Sequence, residues 1–327
     1  MTPALVRQHV RHTATVPDAE LRARARDWSE IQERMLVPLY EAVYARLDVG
    51  SGTRLLALGC GSGLALLLAA ARGATVTGVD SSCPERLALA RRRLLPEPGD
   101  TQARATARIV DGSPRDAAAP DSPAYTLVTA FEPIGCTVGC LAGDSEEPAG
   151  LLAAATPLAE RGAPVVLTGW GPPERCATSS VLRVATKLAD PLRSPGNRRP
   201  TPRDDLEEVA RRAGLRPDGS GRVACPFGYA DLDSAVRGLL STGLFDAAVA
   251  ATDRNQVDKE LAEALLAHQR PDGTVWMPNV FRYLIARTPL NADALNTTSR
   301  TPAPGHRRPQ TPNLTGRRRP PPPSAAG

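Results

Sequence analysis

The chain has 327 residues, of which 42% are hydrophobic and only 4% aromatic, a composition typical of a globular protein with an aliphatic core. Its net charge of +5 lies at one end, because residues 288–327 contain six arginines and one acid while residues 1–287 sum to zero. A neutral folded part disfavours nucleic acid as a partner and favours a small molecule.

The cysteines and the apolar segments indicate a cellular location. None of the six cysteines forms a Cys-x-x-Cys pair, and the chain is long enough to fold without disulfides, so reduced thiols are expected. The first residues, MTPALVRQHVRHT, lack the apolar stretch of a signal peptide, and the apolar run 64–71 is too short to span a bilayer. We therefore expect a cytoplasmic protein without a membrane partner; the sequence gives no information on its oligomeric state.

The N-terminal part is predicted to be helical. Apolar residues recur at intervals of three and four between residues 21 and 47, as on one face of a helix. Pro38 is expected to divide this segment into two helices. We assign residues 1–50 to an N-terminal helical cap.

From residue 51 onward, predicted strands and helices alternate. Strands are expected at 54–58, 75–79, 107–110, 125–130, 164–168, 222–227 and 275–287, with helices at 64–72, 84–95, 151–160 and 204–213. This order predicts an α/β fold with a doubly wound, mostly parallel seven-stranded sheet and helices on both faces. Residues 51–287 would form this domain, residues 231–270 a helical lid inserted between the last two strands, and residues 288–327 a disordered tail rich in proline and arginine.

A glycine-rich turn follows the first predicted strand. Residues 55–63 read LLALGCGSG, which places Gly59, Gly61 and Gly63 where the strand passes into a helix. Glycine permits a sharp turn and the close approach of a ligand. Asp80 ends the next strand, 21 residues after Gly59, where a carboxylate can accept hydrogen bonds from ribose hydroxyls. The turn and the acid together predict a nucleoside-bearing cofactor.

The glycine spacing distinguishes between cofactors. Dinucleotide-binding turns use GxGxxG, but Leu64 stands at the position of the third glycine. The GxGxG form, together with VDGSP at 110–114, resembles the class I (Rossmann-like) S-adenosylmethionine-dependent methyltransferase family of bacterial small-molecule type, over about residues 20 to 287. GWGPPERC at 169–176 also resembles bacterial members of this family.

The resemblance implies S-adenosyl-L-methionine as the cofactor and assigns contact residues by position. These are Gly59, Cys60 and Gly61 for the methionine part, Asp80 for the ribose with Ser81 beside it, Asp111, Gly112 and Ser113 for the adenine, and Phe131 for the wall of the cleft. One departure concerns Ala57, which stands two residues before the first glycine, where the family has an acidic residue that often contacts the amino group of the cofactor.

No residue is assigned as catalytic. Methyl transfer from a sulfonium is an in-line displacement that depends on alignment and exclusion of water more than on a dedicated base. His268 on the predicted lid is a candidate base, but a surface histidine on a helix is the favoured interpretation. Tyr40, Tyr229 and Tyr283 either line the pocket or pack in the core. No cluster of acidic metal ligands is evident, so no metal is expected.

The acceptor is expected to be a small organic molecule such as a specialised metabolite. FEPIG at 131–135 matches the Asn/Asp-Pro-Pro-aromatic motif of amide and base N-methyltransferases only at Pro133, which disfavours nucleic-acid methylation. Two alternatives stay open. One is a degenerate member of the fold that binds without turnover, motivated by Ala57, and the other is an NAD-linked oxidoreductase that shares the strand, turn and helix.

Overall fold

The structure is a computed structural model that describes residues 18–95, 107–118, 123–134, 148–189 and 205–290. Its strands are β1 (Arg54–Leu58), β2 (Thr75–Asp80), β3 (Ala107–Asp111), β4 (Leu127–Ile134), β5 (Pro164–Trp170), β6 (Arg216–Ala224), β7 (Phe227–Tyr229), β8 (Val275–Met277) and β9 (Val280–Arg287). Its helices are α1 (Asp18–Asp27), α2 (Val37–Arg46), α3 (Leu64–Ala71), α4 (Pro84–Leu94), α5 (Pro148–Ala155), α6 (Thr178–Ala189), α7 (Asp205–Arg212), α8 (Leu232–Ser241), α9 (Asp246–Ala251) and α10 (Arg254–Leu266).

Seven of the strands form one sheet in the order β3-β2-β1-β4-β5-β9-β6. β1 to β5 pair in parallel, and β9 runs antiparallel to both of its neighbours. β7 and β8 pair with each other in a separate two-stranded sheet. The prediction of a doubly wound, mostly parallel seven-stranded α/β sheet is confirmed.

The core lies on both faces of the sheet, because consecutive residues of a strand point to opposite sides. In β1, Leu55 packs in one buried cluster together with residues of α2, α3, α6, α8 and α10. Leu56 packs in a second cluster with residues of α5 and α7. Helices therefore cover both faces, as the alternation of elements predicts.

The N-terminal helical segment breaks earlier than predicted. α1 is followed by a π-helical turn, Trp28–Gln32, and a 3₁₀ turn, Glu33–Leu36, before α2 begins. Pro38 lies in the first turn of α2, where its missing N–H removes no helical hydrogen bond. The predicted division into two helices is found, but the break is the irregular segment 28–36, and Pro38 lies just after it. π-Helical turns are often found at functional sites.

The chain between β6 and β9 contains α8, α9 and α10, within the predicted insertion. Each of the two strands predicted to flank the insertion is interrupted near a proline. Pro226 separates β6 from β7, and Pro278 separates β8 from β9. Proline cannot donate to a strand ladder, which accounts for both interruptions.

One helix was not predicted, and most of the predicted tail is not described by the structure. α6 is a helix for which the sequence analysis gave no element. The predicted disordered tail lies outside the described residues except for residues 288–290. None of the described helices has both the length and the apolar character needed to cross a bilayer.

Candidate functional site

The sheet has a switch point between β1 and β4. These strands are neighbours, but the chain passes through β2 and β3 on one side before it returns to form β4 on the other. In open α/β sheets, ligands bind at the carboxyl ends of the strands beside such a point. The glycine turn follows β1 and Asp80 ends β2, so both lie at this edge.

The glycine turn has a left-handed backbone. Gly59, Gly61 and Gly63 have φ values of 62°, 54° and 82°, a region that other residues rarely adopt. α3 begins at Leu64, immediately after the turn. The sequence LGCGSGL therefore folds into the sharp strand-to-helix connection that its glycines predict.

Asp80 is buried, and its carboxylate is directed at the glycine turn. Oδ2 accepts a hydrogen bond from the Gly61 N–H at 2.8 Å. Oδ1 accepts hydrogen bonds from Ser82 N at 2.8 Å and from Ser82 Oγ at 2.6 Å. A carboxylate offers about four lone-pair positions, so capacity remains for a hydroxyl of a ligand.

The N-terminal segment supplies a second buried carboxylate. Glu33 is 3% exposed, and its Oε1 accepts a hydrogen bond from the first N–H of α3, that of Leu64, at 3.3 Å. Its Oε2 accepts hydrogen bonds from Ser62 Oγ and, at 2.7 Å, from Arg93 Nη1. The positive N-terminal end of α3 is therefore already paired with a protein carboxylate.

Arg93 of α4 joins three elements at this point. Besides its ion pair with Glu33, it donates to the carbonyl oxygen of Ser62 in the glycine turn at 2.8 Å. It also donates to the hydroxyl and the carbonyl oxygen of Ser29 in the π-helical turn. Arg93 thereby holds the N-terminal segment against the glycine turn.

A cavity of about 50 Å³ lies between the N-terminal segment and the carboxyl edge of the sheet. Five of the predicted cofactor residues line it: Gly59, Cys60, Gly61, Asp80 and Phe131. The N-terminal segment forms the opposite wall with Trp28, Glu33, Leu36 and Tyr40. The turn, the acid at the end of β2 and Phe131 of β4 are thus brought together at one place.

The other predicted cofactor residues do not line this cavity. Ser81 is exposed, and Ser82 lines the cavity in its place. Asp111 is also exposed. Gly112 and Ser113 belong to a turn whose polar groups are hydrogen-bonded within the turn, since Ser113 N and Oγ donate to Asp116 Oδ2 at 2.7 and 2.8 Å. These hydrogen bonds keep the pKa of the Asp116 carboxyl below its usual value.

Cys60 is a half-buried residue within the glycine turn. Burial, and secondarily the nearby negative charge of Asp80, raises its pKa to about 12. The thiol is therefore neutral at physiological pH and is not a nucleophile. Cys60 therefore contributes to the cavity only as a lining residue, through its side chain and its backbone.

Only one of the three candidate tyrosines lines the cavity. Tyr40 does so, with its ring centroid 4.9 Å from that of Phe131. The Tyr229 hydroxyl instead donates to Gln32 Oε1 at 2.8 Å, and burial raises its pKa. Tyr283 packs in the core. His268 lies outside the cavity, with Nε2 3.4 Å from Ser180 Oγ.

Two polar atoms in the cavity wall have no hydrogen-bond partner in the described residues. They are Trp28 Nε1 and Thr129 Oγ1, and both are buried. Buried polar groups are nearly always hydrogen-bonded, so an unpaired one requires an explanation such as a ligand or a water molecule. Two of the three such side-chain atoms in the described part of the chain meet at this one cavity.

Sequence reasoning did not identify several residues of the site. Trp28, Glu33, Arg93 and Thr129 have no role in the sequence-based prediction. Arg86 of α4 was also missed; its guanidinium lies 4.2 Å from the centroid of the Trp28 ring, and it donates to the carbonyl oxygen of Ser241. No local pattern marks these residues, because they come together only through tertiary contacts.

A search of the sequence finds no matching protein family and no similar curated protein. Solved structures with a similar course of the chain include a SAM-dependent methyltransferase from Thiobacillus denitrificans in complex with S-adenosyl-L-homocysteine, at 17% identity over 83% of this chain and 99% of that one, with a TM-score of 0.44. YjhP from E. coli is 18% identical over 81% and 98%, with a TM-score of 0.45. The [4+2]-cyclase SpnF is 17% identical over 77% and 80%, with a TM-score of 0.43. Likenesses this distant assign neither a site residue nor a reaction to this chain.

Proposed function

We propose that the chain binds S-adenosyl-L-methionine at the switch point and transfers its methyl group to a small organic acceptor. The observation that carries the proposal is the buried Asp80 carboxylate, which is directed at the glycine turn and hydrogen-bonded to the Gly61 N–H. A carboxylate at this position can accept a hydrogen bond from a ribose hydroxyl, for which Asp80 retains capacity. The left-handed glycines leave the backbone open to the rest of the ligand.

The electrostatics of the turn favour this cofactor over a dinucleotide. A dinucleotide fold presents free N–H groups at the start of the helix to a pyrophosphate. Here the N–H of Gly61 is bonded to Asp80 and the N–H of Leu64 is bonded to Glu33. The N–H groups that a pyrophosphate would need are therefore already hydrogen-bonded to protein carboxylates.

The donor groups fit the cofactor, but the present volume is too small for it. Ligand pockets commonly measure about 300 to 1,000 Å³, compared with the 50 Å³ of this cavity. The cavity would therefore have to widen for the cofactor to enter. Once bound, the cofactor supplies an electrophilic methyl group, and Leu36, Tyr40 and Phe131 would exclude water around it.

Isothermal titration calorimetry with S-adenosyl-L-methionine, S-adenosyl-L-homocysteine and NAD tests the proposal. We expect saturable binding of the first two compounds and no binding of NAD. Binding of NAD alone would favour the oxidoreductase alternative, and no binding of any of the three would refute the cofactor assignment.

Turnover is tested separately, by incubating cell extract with the protein and cofactor labelled at the methyl group. Mass spectrometry should detect a metabolite that gains the label. A protein that binds without turnover is the second candidate, because a buried ion pair holds the N-terminal segment over the cavity. Cofactor binding without any labelled product would favour that candidate.

A further inference from the structure

The two unpaired polar atoms lie on different sides of the cavity. Trp28 comes from the π-helical turn, and its Nε1 lies 3.6 Å from the point that a Cβ on Gly61 would occupy. Its ring stacks with Arg86 of α4, the helix that follows Asp80. Thr129 lies in β4, paired in register with Ala57 of β1. Trp28 is thus on the Asp80 side of the glycine turn, and Thr129 is on the opposite side.

The chemistry of the two groups limits what can pair with them. An indole N–H only donates, so it requires an acceptor atom, whereas a threonine hydroxyl can donate or accept. Thr129 is 0% exposed, and its side chain stands beside Ala57, which carries no polar group. Unpaired groups of this kind destabilise the protein in which they are buried. A ligand that pairs with both would remove this unfavourable term.

We propose that Trp28 and Thr129 are cofactor-binding residues that contact different ends of the ligand. On the proposed function, on which this inference rests, Asp80 binds the sugar. The Trp28 N–H then donates to an acceptor of the nucleoside part, from the N-terminal segment that closes over it. The Thr129 hydroxyl binds a polar group of the amino-acid part, at the position where Ala57 supplies none.

Two probes separate the ends of the ligand. S-adenosyl-L-homocysteine has both parts, whereas 5′-methylthioadenosine retains the nucleoside and lacks the amino acid. Trp28→Phe keeps an aromatic ring near Arg86 and removes the N–H donor together with part of the indole ring. Thr129→Val keeps the shape of the side chain and removes the hydroxyl, while Thr129→Ser restores it.

We expect Trp28→Phe to weaken the binding of both probes by about 3- to 10-fold, the range for one hydrogen bond. Thr129→Val should weaken S-adenosyl-L-homocysteine by a similar factor and leave methylthioadenosine unchanged, with recovery in Thr129→Ser. In the free protein Thr129→Val should melt at the same temperature as the wild type or about 2 °C higher, because it removes an unpaired buried group. The melting temperature of Trp28→Phe is compared with that of Trp276→Phe, which loses the same ring atoms. Weaker binding together with undiminished stability distinguishes a ligand contact from a structural one.

Trp276→Phe is the matched control. Trp276 lies in β8, outside the cavity, and its ring also stacks with an arginine, Arg270, at 4.7 Å. This variant should bind both probes as the wild type does.

The outcomes separate this inference from the proposed function. If the wild type binds neither probe, both proposals fail. If the wild type binds both probes and the two variants bind them equally well, the two atoms are hydrogen-bonded to water molecules instead of the ligand. Only the inference is then overturned. A lower melting temperature with unchanged affinity overturns it as well, because the atoms would then have structural partners.

Discussion

Two turns at the same edge of the sheet, after β1 and after β3, were both expected to contact the cofactor, and they differ in how their polar groups are satisfied. In the turn after β3 the hydrogen bonds are local, since Ser113 donates to the Asp116 carboxylate three residues later. The turn after β1 depends on Asp80, Glu33 and Arg93 from other elements, and unpaired atoms remain in the cavity beside it. Polar groups that local structure leaves incomplete are a better indication of a ligand than sequence position alone.

Of the variants that distinguish the two turns, Arg93→Ala should have the largest effect on the free energy of unfolding. Arg93→Ala leaves the buried Glu33 carboxylate without its counter-charge, and removing one partner of such a pair typically costs about 3 to 5 kcal/mol. We expect a loss of about 3 kcal/mol in the free energy of unfolding, measured by urea denaturation, since Arg93 is itself partly exposed.

Arg211→Ala is the control for Arg93→Ala, because it breaks an exposed ion pair with Glu208 and should cost less than about 1 kcal/mol. Equal losses in the two variants would show that Arg93 does not hold the N-terminal segment in place.

Asp80→Ala should give the largest effect on binding. Loss of charge-assisted hydrogen bonds to the ribose is expected to weaken the binding of S-adenosyl-L-homocysteine by roughly 1.5 to 3 kcal/mol, measured by calorimetry. Asp111→Ala, at the end of the neighbouring strand, is the matched control and should not change the affinity, since Asp111 is exposed and outside the cavity. Unchanged affinity in Asp80→Ala would refute the ribose assignment.

Ser113→Ala should separate local stability from binding in the turn after β3. It removes the residue that caps the 3₁₀ turn Pro114–Ala117, so the melting temperature should fall by about 2 °C. Calorimetry should show no change in cofactor affinity. A weaker affinity would mean that this turn reaches the ligand after all.

The smallest effect concerns the reactivity of Cys60. Because its pKa is raised to about 12, the thiolate fraction is small at pH 8 and grows only as the pH approaches that value. We expect slow alkylation of the Cys60 peptide by iodoacetamide at pH 8, followed by mass spectrometry, and rapid alkylation after unfolding in guanidinium. Fast alkylation of the folded protein at pH 8 would contradict the burial of this thiol.

Local signals were sufficient to predict the sheet. Strand patterns, the glycines of the turn and the acid at the end of β2 are visible in neighbouring residues, and the alternation of strands with helices predicts the mostly parallel sheet. The order of the strands in the sheet was not predicted and comes from the structure. The missed helix α6 also has a local signal, since Val181, Val184, Ala185 and Leu188 repeat at helical spacing and are buried.

The second wall of the cavity could not have been predicted in the same way. Trp28 and Glu33 lie about thirty residues before the glycine turn that they contact, and the segment between α1 and α2 departs from the α-helical period on which the prediction relied. A charged residue on a predicted surface helix normally faces solvent. Only the packing of the N-terminal segment against α4 reveals that Glu33 faces the turn.

The hydrogen bond between Gln32 and Tyr229 joins residues 197 positions apart in the sequence, one before the sheet begins and one near its end. A shortened protein that starts after α2 would lose the acceptor of this buried hydroxyl and the carboxylate opposite Arg93, and it would lack the buried core residues Leu39 and Tyr44. The first helices are therefore not a detachable cover. Efforts to dissect the protein into independently folding units should keep the chain intact from Asp18 onward.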